Sequence, residues 1–463
     1  MHNTARVNGN ISFWYADIGG VPSFRAALPG DITADVCIIG AGYTGLWTAY
    51  YLKRNDPGLR IAIVEKEFAG FGGSGRNGGW LSGGFSWSKE KYLKTSSRQQ
   101  VIAMERAMAG TVDEVVSVAE REGIDADIRR VDNLLVATNK AQLERMKEAY
   151  EDDLAWEIPR DEIELLSAEE TRKRIAIHNV QGGFVSRGMA RVQPAKLVRG
   201  LAEVVERMGV KIYEQTEVTG IDKGRVTTRR GVVSAHTIIR ATEGFTASIP
   251  GHRRLWLPLN SAQVITEPLP ASLWKEIGWD GYELLGDMSH RYCYAQRTRE
   301  GRITMGGRGV PYRFGSATDN RGQTQQETID QLVGILHRLL PQTRQLKIEH
   351  AWCGVLGVPR DWCTTVGLDP ETRIGWAGGY VGLGVSTSNL SGRTLCDLVL
   401  GRDTEITKLP WVNRKVRKWE PEPFRWLGVH SMYQLYRIAD EREERGLEHT
   451  SKLVKVADAI TGH

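Results

Sequence analysis

The sequence predicts a mixed α/β fold in which a parallel-sheet domain is interleaved with an α+β domain built on an antiparallel sheet. Three observations predict it. An apolar strand at 36–39 enters Gly40-Ala-Gly-Tyr-Thr-Gly45 and continues as a two-faced helix from Leu46 to Lys53. A second apolar run, Ile61-Ala-Ile-Val, closes on Glu65. Much later, from Leu257 to Met305, the chain turns to alternating strands with Tyr292, Tyr294 and Gln296 on one side, the pattern of an antiparallel sheet. At 463 residues the chain exceeds one ordinary core, so two joined domains are expected.

The first observation carries a ligand with it. Between a strand and a helix, Gly40 permits a tight reversal, Gly42 lets a pyrophosphate touch bare backbone, and Gly45 lets helix and strand pack closely. The helix N-terminus offers free N–H groups and the positive end of its dipole to phosphates. Glu65 lies 20 residues past Gly45, where a carboxylate can accept hydrogen bonds from a ribose. The reading is a Rossmann-like dinucleotide site.

The remaining elements are taken in chain order. Residues 1–34 form an N-terminal arm broken by Pro22 and Pro29, with Phe13-Trp-Tyr15 packing on the body. A glycine-rich segment at 69–84 holds eight glycines in sixteen residues. Helical patterns come next at 98–122, 140–152, 167–175 and 194–208, with strands near 210–218 and 225–228. A buried strand at 232–241 ends in Ala241-Thr-Glu-Gly244. Helices at 325–340 and 388–400 bracket a strand at 374–377, and a polar helix at 431–445 closes a basic tail holding Trp411, Trp419 and Trp426. The expected division is 35–95, 190–256 and 345–402 for the nucleotide domain, and 96–189 and 257–344 for the substrate domain. Residues 403–463 are a C-terminal extension.

Composition narrows the class. Hydrophobic residues at 41% and charged residues at 25% describe a folded, water-soluble chain. The 61 basic and 56 acidic residues nearly balance, which gives no case for nucleic acid. No apolar run approaches the length of a membrane span. Five scattered cysteines (Cys37, Cys293, Cys353, Cys363, Cys396) suit free thiols in a cytoplasmic protein and make neither a disulfide framework nor a metal site.

The segment after the fingerprint selects the cofactor. A nicotinamide enzyme continues with further strand–helix units, whereas this chain enters the glycine-rich loop directly after Glu65. Such a loop can lie flat beneath a large planar ring and present backbone N–H groups to it, with Arg76 and Asn77 as polar contacts. A flexible surface loop is the alternative, but Trp80 and Leu81 within it are costly to expose. A third cluster, Gly378-Gly-Tyr-Val-Gly-Leu-Gly384, precedes a helix whose positive end favours the charge a flavin gains on reduction. Three segments wrapping one elongated ligand point to FAD.

Together, Gly40 to Gly45, Ile63-Val-Glu65, Phe71-Gly-Gly-Ser-Gly-Arg-Asn-Gly-Gly79, Ala241 to Gly244 and Gly378 to Gly384 resemble the D-amino-acid oxidase/glycine oxidase superfamily of FAD enzymes. The loop string looks most like the gamma-glutamylputrescine oxidoreductase branch. The resemblance spans about residues 12–405. It implies that FAD is held by Gly40, Ala41, Gly42, Tyr43, Thr44 and Gly45, and by Glu65 and Lys66. Gly73, Ser74, Arg76, Asn77, Gly78, Gly79, Trp80 and Leu81 serve from the loop, and Val218, Ala241, Thr242 and Gly244 from mid-chain. Gly379, Gly382, Leu383, Gly384 and Val385 complete the set. It further implies oxidation of a C–N bond in an amine or N-substituted amino acid, by hydride transfer to flavin N5, giving an imine that hydrolyses. Oxygen or another acceptor then takes the electrons.

On the substrate side, Trp80, Tyr292, Tyr294, Trp352 and Tyr380 are expected as pocket walls able to cage a cationic amine. Arg308 is a candidate carboxylate clamp, with Arg291, Arg297 and Arg360 as weaker ones. Core packing or a surface position is the alternative for each. Flavin amine oxidation requires no acid–base side chain once apolar walls favour the neutral amine, so none is assigned. Where the branch usually offers two glycines after the tryptophan, this chain has Trp352-Cys353-Gly354. Sarcosine oxidases attach flavin through a cysteine in this region, so Cys353 is a covalent-attachment candidate, with a buried thiol as the alternative. Lys275 reads as a solvated helix lysine or as an aid to oxygen reduction. Two other classes remain open: an FAD-binding subunit or assembly protein with a partner role for the tail, and an NAD-dependent dehydrogenase.

Overall fold

The computed structural model describes residues 4–84, 89–307, 312–318 and 321–461. Two mixed sheets form its frame. In the eight-stranded sheet, Ile374–Gly378, Gly231–Arg240, Ile32–Ile39, Ile61–Val64 and Lys211–Tyr213 lie side by side and parallel. Their apolar runs are buried on both faces, as parallel strands require. Helices Tyr43–Asn55, Arg98–Glu122, Pro194–Arg207 and Gly384–Val399 bury one face in the largest core. The short strands Val218–Asp222 and Arg225–Thr228 help cover the other.

Local chemistry sets the helix ends. Ser97 and Gln100 form a reciprocal capping box at the start of Arg98–Glu122, and Gly123 ends it in left-handed backbone. Two helices begin earlier than the pattern predicts, at Tyr43 rather than Leu46 and at Gly384 rather than about Ser388. Both extra turns are glycine-containing, with low intrinsic helix propensity. Tertiary burial of Tyr43, Thr44, Val385 and their neighbours overrides that propensity.

The ten-stranded sheet runs through Ile348–Val358, Leu257–Thr266, Ile303–Gly307, Cys293–Arg297, Leu284–Asp287, Arg129–Ala137 and Gly182–Arg191. It is mainly antiparallel but not purely so. Leu284–Asp287 runs parallel to Arg129–Ala137, and Val7–Asn8 runs parallel to Ile348–Val358. Both pairs are joined by long crossovers, where no hairpin forces reversal. Segment 345–402 divides between the sheets, giving its long first strand to this one and Thr365–Leu368 and Ile374–Gly378 to the other.

Period-two alternation gives the ten-stranded sheet two different faces. Ala262, Val264, Met305, Ala351 and Cys353 share a core with Ile329, Leu332 and Leu336 of helix Gln326–Leu339. The opposite face holds the glycine-rich loop. Gln263 and Trp352 donate to the Arg76 carbonyl at 2.6 and 3.0 Å, and Gln296 donates to the Gly78 carbonyl at 2.6 Å.

The C-terminal extension adds helix Phe424–Glu444, which starts before the predicted 431, and helix Lys452–Thr461. Trp411 and Trp419 are buried, and the Trp419 indole donates to the Val358 carbonyl at 2.7 Å. Among the described residues no helix is long and apolar enough to cross a membrane.

Candidate cofactor and active site

The turn after Ile32–Ile39 has no spare volume. Gly40 sits at φ +103°, and a Cβ on Gly45 would lie 2.1 Å from the Gly40 carbonyl oxygen. Gly42 caps the helix that follows. The turn is braced from two sides: the Ala41 N–H donates to Glu65 Oε2 at 2.9 Å, and the Tyr43 N–H donates to Ser74 Oγ at 2.8 Å.

A cavity of about 510 Å³ opens along the carboxyl ends of the parallel strands, where ligands of such sheets bind. Glu65, Lys66 and Glu67 line it beside Thr216, Glu217 and Val218; the Thr216 N–H donates to the Glu65 carbonyl. Gly40, Gly42, Tyr43 and Thr44 continue the wall, with Gly73, Ser74 and Asn77 of the loop. Ala241, Thr242 and Glu243 come next, then Leu356, Tyr380, Gly382, Gly384 and Val385. The three glycine clusters therefore converge on one elongated space.

Its electrostatics are set by two half-buried carboxyls. Burial pushes the Glu65 carboxyl up to about 7, against the opposing N–H groups of Ala41 and Glu67. Burial does the same to Glu243, again to about 7, against backbone N–H donors. Lys66 pairs with Glu217 at 2.9 Å.

Other residues expected at the cofactor stand behind this wall. Ala41 and Gly45 lie within the turn, and Arg76 is buried with its guanidinium 4.4 Å over the Phe71 ring and donating to the Cys353 carbonyl. Gly78, Gly79, Trp80 and Leu81 continue the loop onto strand Gly182–Arg191. Gly244 packs against Val355, Gly379 against Pro359, and Leu383 caps helix Gly384–Val399.

Of the expected substrate walls, Tyr380 lines the cavity, and its hydroxyl lies 2.7 Å from the Thr44 hydroxyl. Tyr294 is wedged between Gly78 and Gly306, 2.9 Å from Ser261 Oγ, with Trp80 edge-on to it. The Tyr292 hydroxyl approaches Gly382. Trp352 is fully buried against Trp14. Cys353 is buried in the core on the far face of its strand, with Sγ donating to the Gln323 carbonyl at 3.5 Å. Arg308 lies outside the described residues. Arg291 pairs with Asp440 and Arg360 with Glu420, while Arg297 stacks on Trp274 and Tyr282. Lys275 is exposed on a short helix.

Sequence reasoning missed Glu243, Thr216, Phe71 and Phe245, all in the wall. Glu243 sat inside a motif already singled out, and only its residue type marked it. Phe71 and Phe245, with ring centroids 6.3 Å apart, come directly after glycines and carry no periodic signal.

Bare glycine backbone, an acid after the second strand and a cavity spanning the strand ends define a dinucleotide-binding protein of the two-sheet flavoprotein type. The chain belongs to the DAO family of FAD-dependent oxidoreductases, whose model matches residues 35–398. Its cofactor is FAD, and the residues present fit it. The chain is 28% identical over 382 residues to gamma-glutamylputrescine oxidoreductase of Escherichia coli strain K12, covering 80% of this chain and 84% of that one. It is also 28% identical over 414 residues to a probable oxidoreductase OrdL of Rhizobium meliloti strain 1021, covering 87% and 91%. Glycine oxidase from Geobacillus kaustophilus shares the fold at a TM-score of 0.68 and 21% identity, over 83% of this chain and 99% of that one.

Proposed function

We propose that the chain oxidises the C–N bond of an amine or N-substituted amino acid. The observation that carries this is the convergence of three glycine clusters on one cavity bordered by Val355, Leu356 and Tyr380. Support comes from relatives whose names specify such substrates, gamma-glutamylputrescine oxidoreductase and the sarcosine oxidase beta subunit of Rhizobium meliloti. When bound, FAD supplies the oxidant for hydride removal from the carbon next to nitrogen, and water hydrolyses the resulting imine. The chain's own part is positioning and desolvation. Val355 and Leu356 exclude water, which favours the substrate nitrogen as the free base. The glycine-rich loop, held from behind by Gln263, Gln296 and Trp352, keeps the floor rigid.

Anaerobic mixing of the FAD-loaded protein with polyamines, gamma-glutamyl amines, N-methyl amino acids, D-amino acids and 2-hydroxy acids tests this reading. Bleaching of the flavin by one nitrogen-bearing class is the expected result. Bleaching by 2-hydroxy acids alone would replace C–N with C–O oxidation.

A further inference from the structure

Residue 243 is a glutamate in left-handed backbone, at φ +41°. A non-glycine residue holds that conformation only where its surroundings impose it. Here the surroundings are three backbone donors. The Tyr380 N–H donates to Oε1 at 2.8 Å, the Gly357 N–H donates to Oε2, and the Gly379 N–H also bonds the carboxylate. Gly357 makes room for the group, since a Cβ there would lie 2.3 Å from Glu243 Oε2.

The donors come from two segments: the end of strand Ile348–Val358, and the turn before helix Gly384–Val399. The carboxylate rides on a third, after strand Gly231–Arg240. One side chain therefore fastens three walls of the cavity. Among the described residues no hydrogen bond or ion pair joins it to a cationic side chain, so its charge is balanced by N–H dipoles alone.

We propose that Glu243 is a positioning residue that also sets the reduction potential of the bound FAD, by holding its carboxylate, when ionised, in the cavity wall. Reduction adds electrons to the flavin, and a nearby fixed anion in a poorly solvated wall opposes that. The N-terminus of helix Gly384–Val399, sixteen residues long, faces the same cavity with its positive end. Glu243 occupies two N–H groups just ahead of that helix and offsets its field. The flavin is thereby held harder to reduce, and once reduced it is a stronger donor. The inference rests on FAD filling this cavity.

Redox titration of the FAD-loaded full chain against a reference dye at pH 9, above the value of about 7 to which burial raises this carboxyl, tests it in wild type, E243Q and E243D. E243Q removes the charge at constant size, and E243D keeps the charge on a shorter arm. The expected result is an E243Q equilibrium at least tenfold further toward reduced flavin, or about 30 mV more positive for a two-electron couple, with E243D within threefold of wild type. Equal equilibria in wild type and E243Q overturn the proposal, as does an E243D shift as large as that of E243Q. If E243Q sheds FAD, E243G, which suits the left-handed backbone, is titrated in its place. Failure of both charge-free variants to retain FAD confines Glu243 to a structural role and overturns the potential claim. A wild-type chain that never takes up flavin defeats the cofactor assignment instead, which is a separate outcome.

Discussion

The Thr44 and Tyr380 hydroxyls lie 2.7 Å apart in a buried setting, joining the first turn of the fingerprint helix to the last glycine cluster across 336 residues of sequence. The pair closes the cavity where its early and late walls meet. Y380F keeps the ring and removes the bond. A buried neutral hydrogen bond is worth about 1 kcal/mol, so FAD affinity of the stripped protein should fall roughly fivefold, read by fluorescence titration. An unchanged affinity would mean that the two walls are held together by other contacts.

The parallel sheet and its turn were legible because each step has a local cause. Buried parallel strands are apolar throughout, and Gly40, Gly42 and Gly45 are demanded by close backbone approach. The substrate side was less legible. Trp352, Tyr294 and Cys353 lie within four strands of one sheet, and period two alone does not say which face meets the flavin and which meets helix Gln326–Leu339. Glu243 was hidden for another reason. Its partners are backbone N–H groups of Gly357, Gly379 and Tyr380, which leave no side-chain pattern to read.

G45A should fail at the fingerprint. The added methyl would meet the Gly40 carbonyl oxygen at 2.1 Å, so the helix must back away from the strand. Such overpacking costs on the order of 1–3 kcal/mol, and the turn can no longer seat a pyrophosphate. The purified variant should be colourless, and a yellow G45A protein would show that the turn tolerates the shift.

The placement of Cys353 predicts a flavin held without a covalent bond. Its thiol faces the core and the Gln323 carbonyl rather than the cavity. Acid precipitation should leave the yellow colour in the supernatant for both wild type and C353A. Colour that pellets with wild type but not with C353A would reverse this.

Glu65 gives the FAD-free protein a pH signature. Burial, working against two N–H bonds to the carboxylate, raises its carboxyl from an ordinary 4.5 to about 7. The folded chain then holds that proton more tightly than the unfolded chain. The resulting stability is complete below pH 4.5 and is lost as the pH rises through about 7. Melting temperature of the stripped protein should fall across that window. E65Q should flatten part of the fall, and Glu243, raised likewise, should carry a further part.

The C-terminal extension is latched by a buried carboxylate. Arg145 donates to both oxygens of Glu443 at 2.9 and 2.8 Å, and His290 Nε2 lies 2.9 Å from Oε1. His290 and Asp440 complete a cluster with metal-like spacing, but the Arg145 guanidinium already supplies the positive charge there. Burial alone would raise the Glu443 carboxyl, yet the bonds from His290 and Arg145 outweigh it and hold it down at about 2. The sign is opposite to that of Glu65. This stability is present above the ordinary 4.5 and is lost as the pH falls through about 2. R145M leaves the buried carboxylate with His290 and the Ser451 N–H but no guanidinium, which should cost on the order of 3 kcal/mol at neutral pH. Because the latch also fixes the loop ahead of Tyr292, limited proteolysis should clip the extension of R145M faster than that of wild type. Equal cleavage rates would show that Trp419 and its neighbours hold the extension without it.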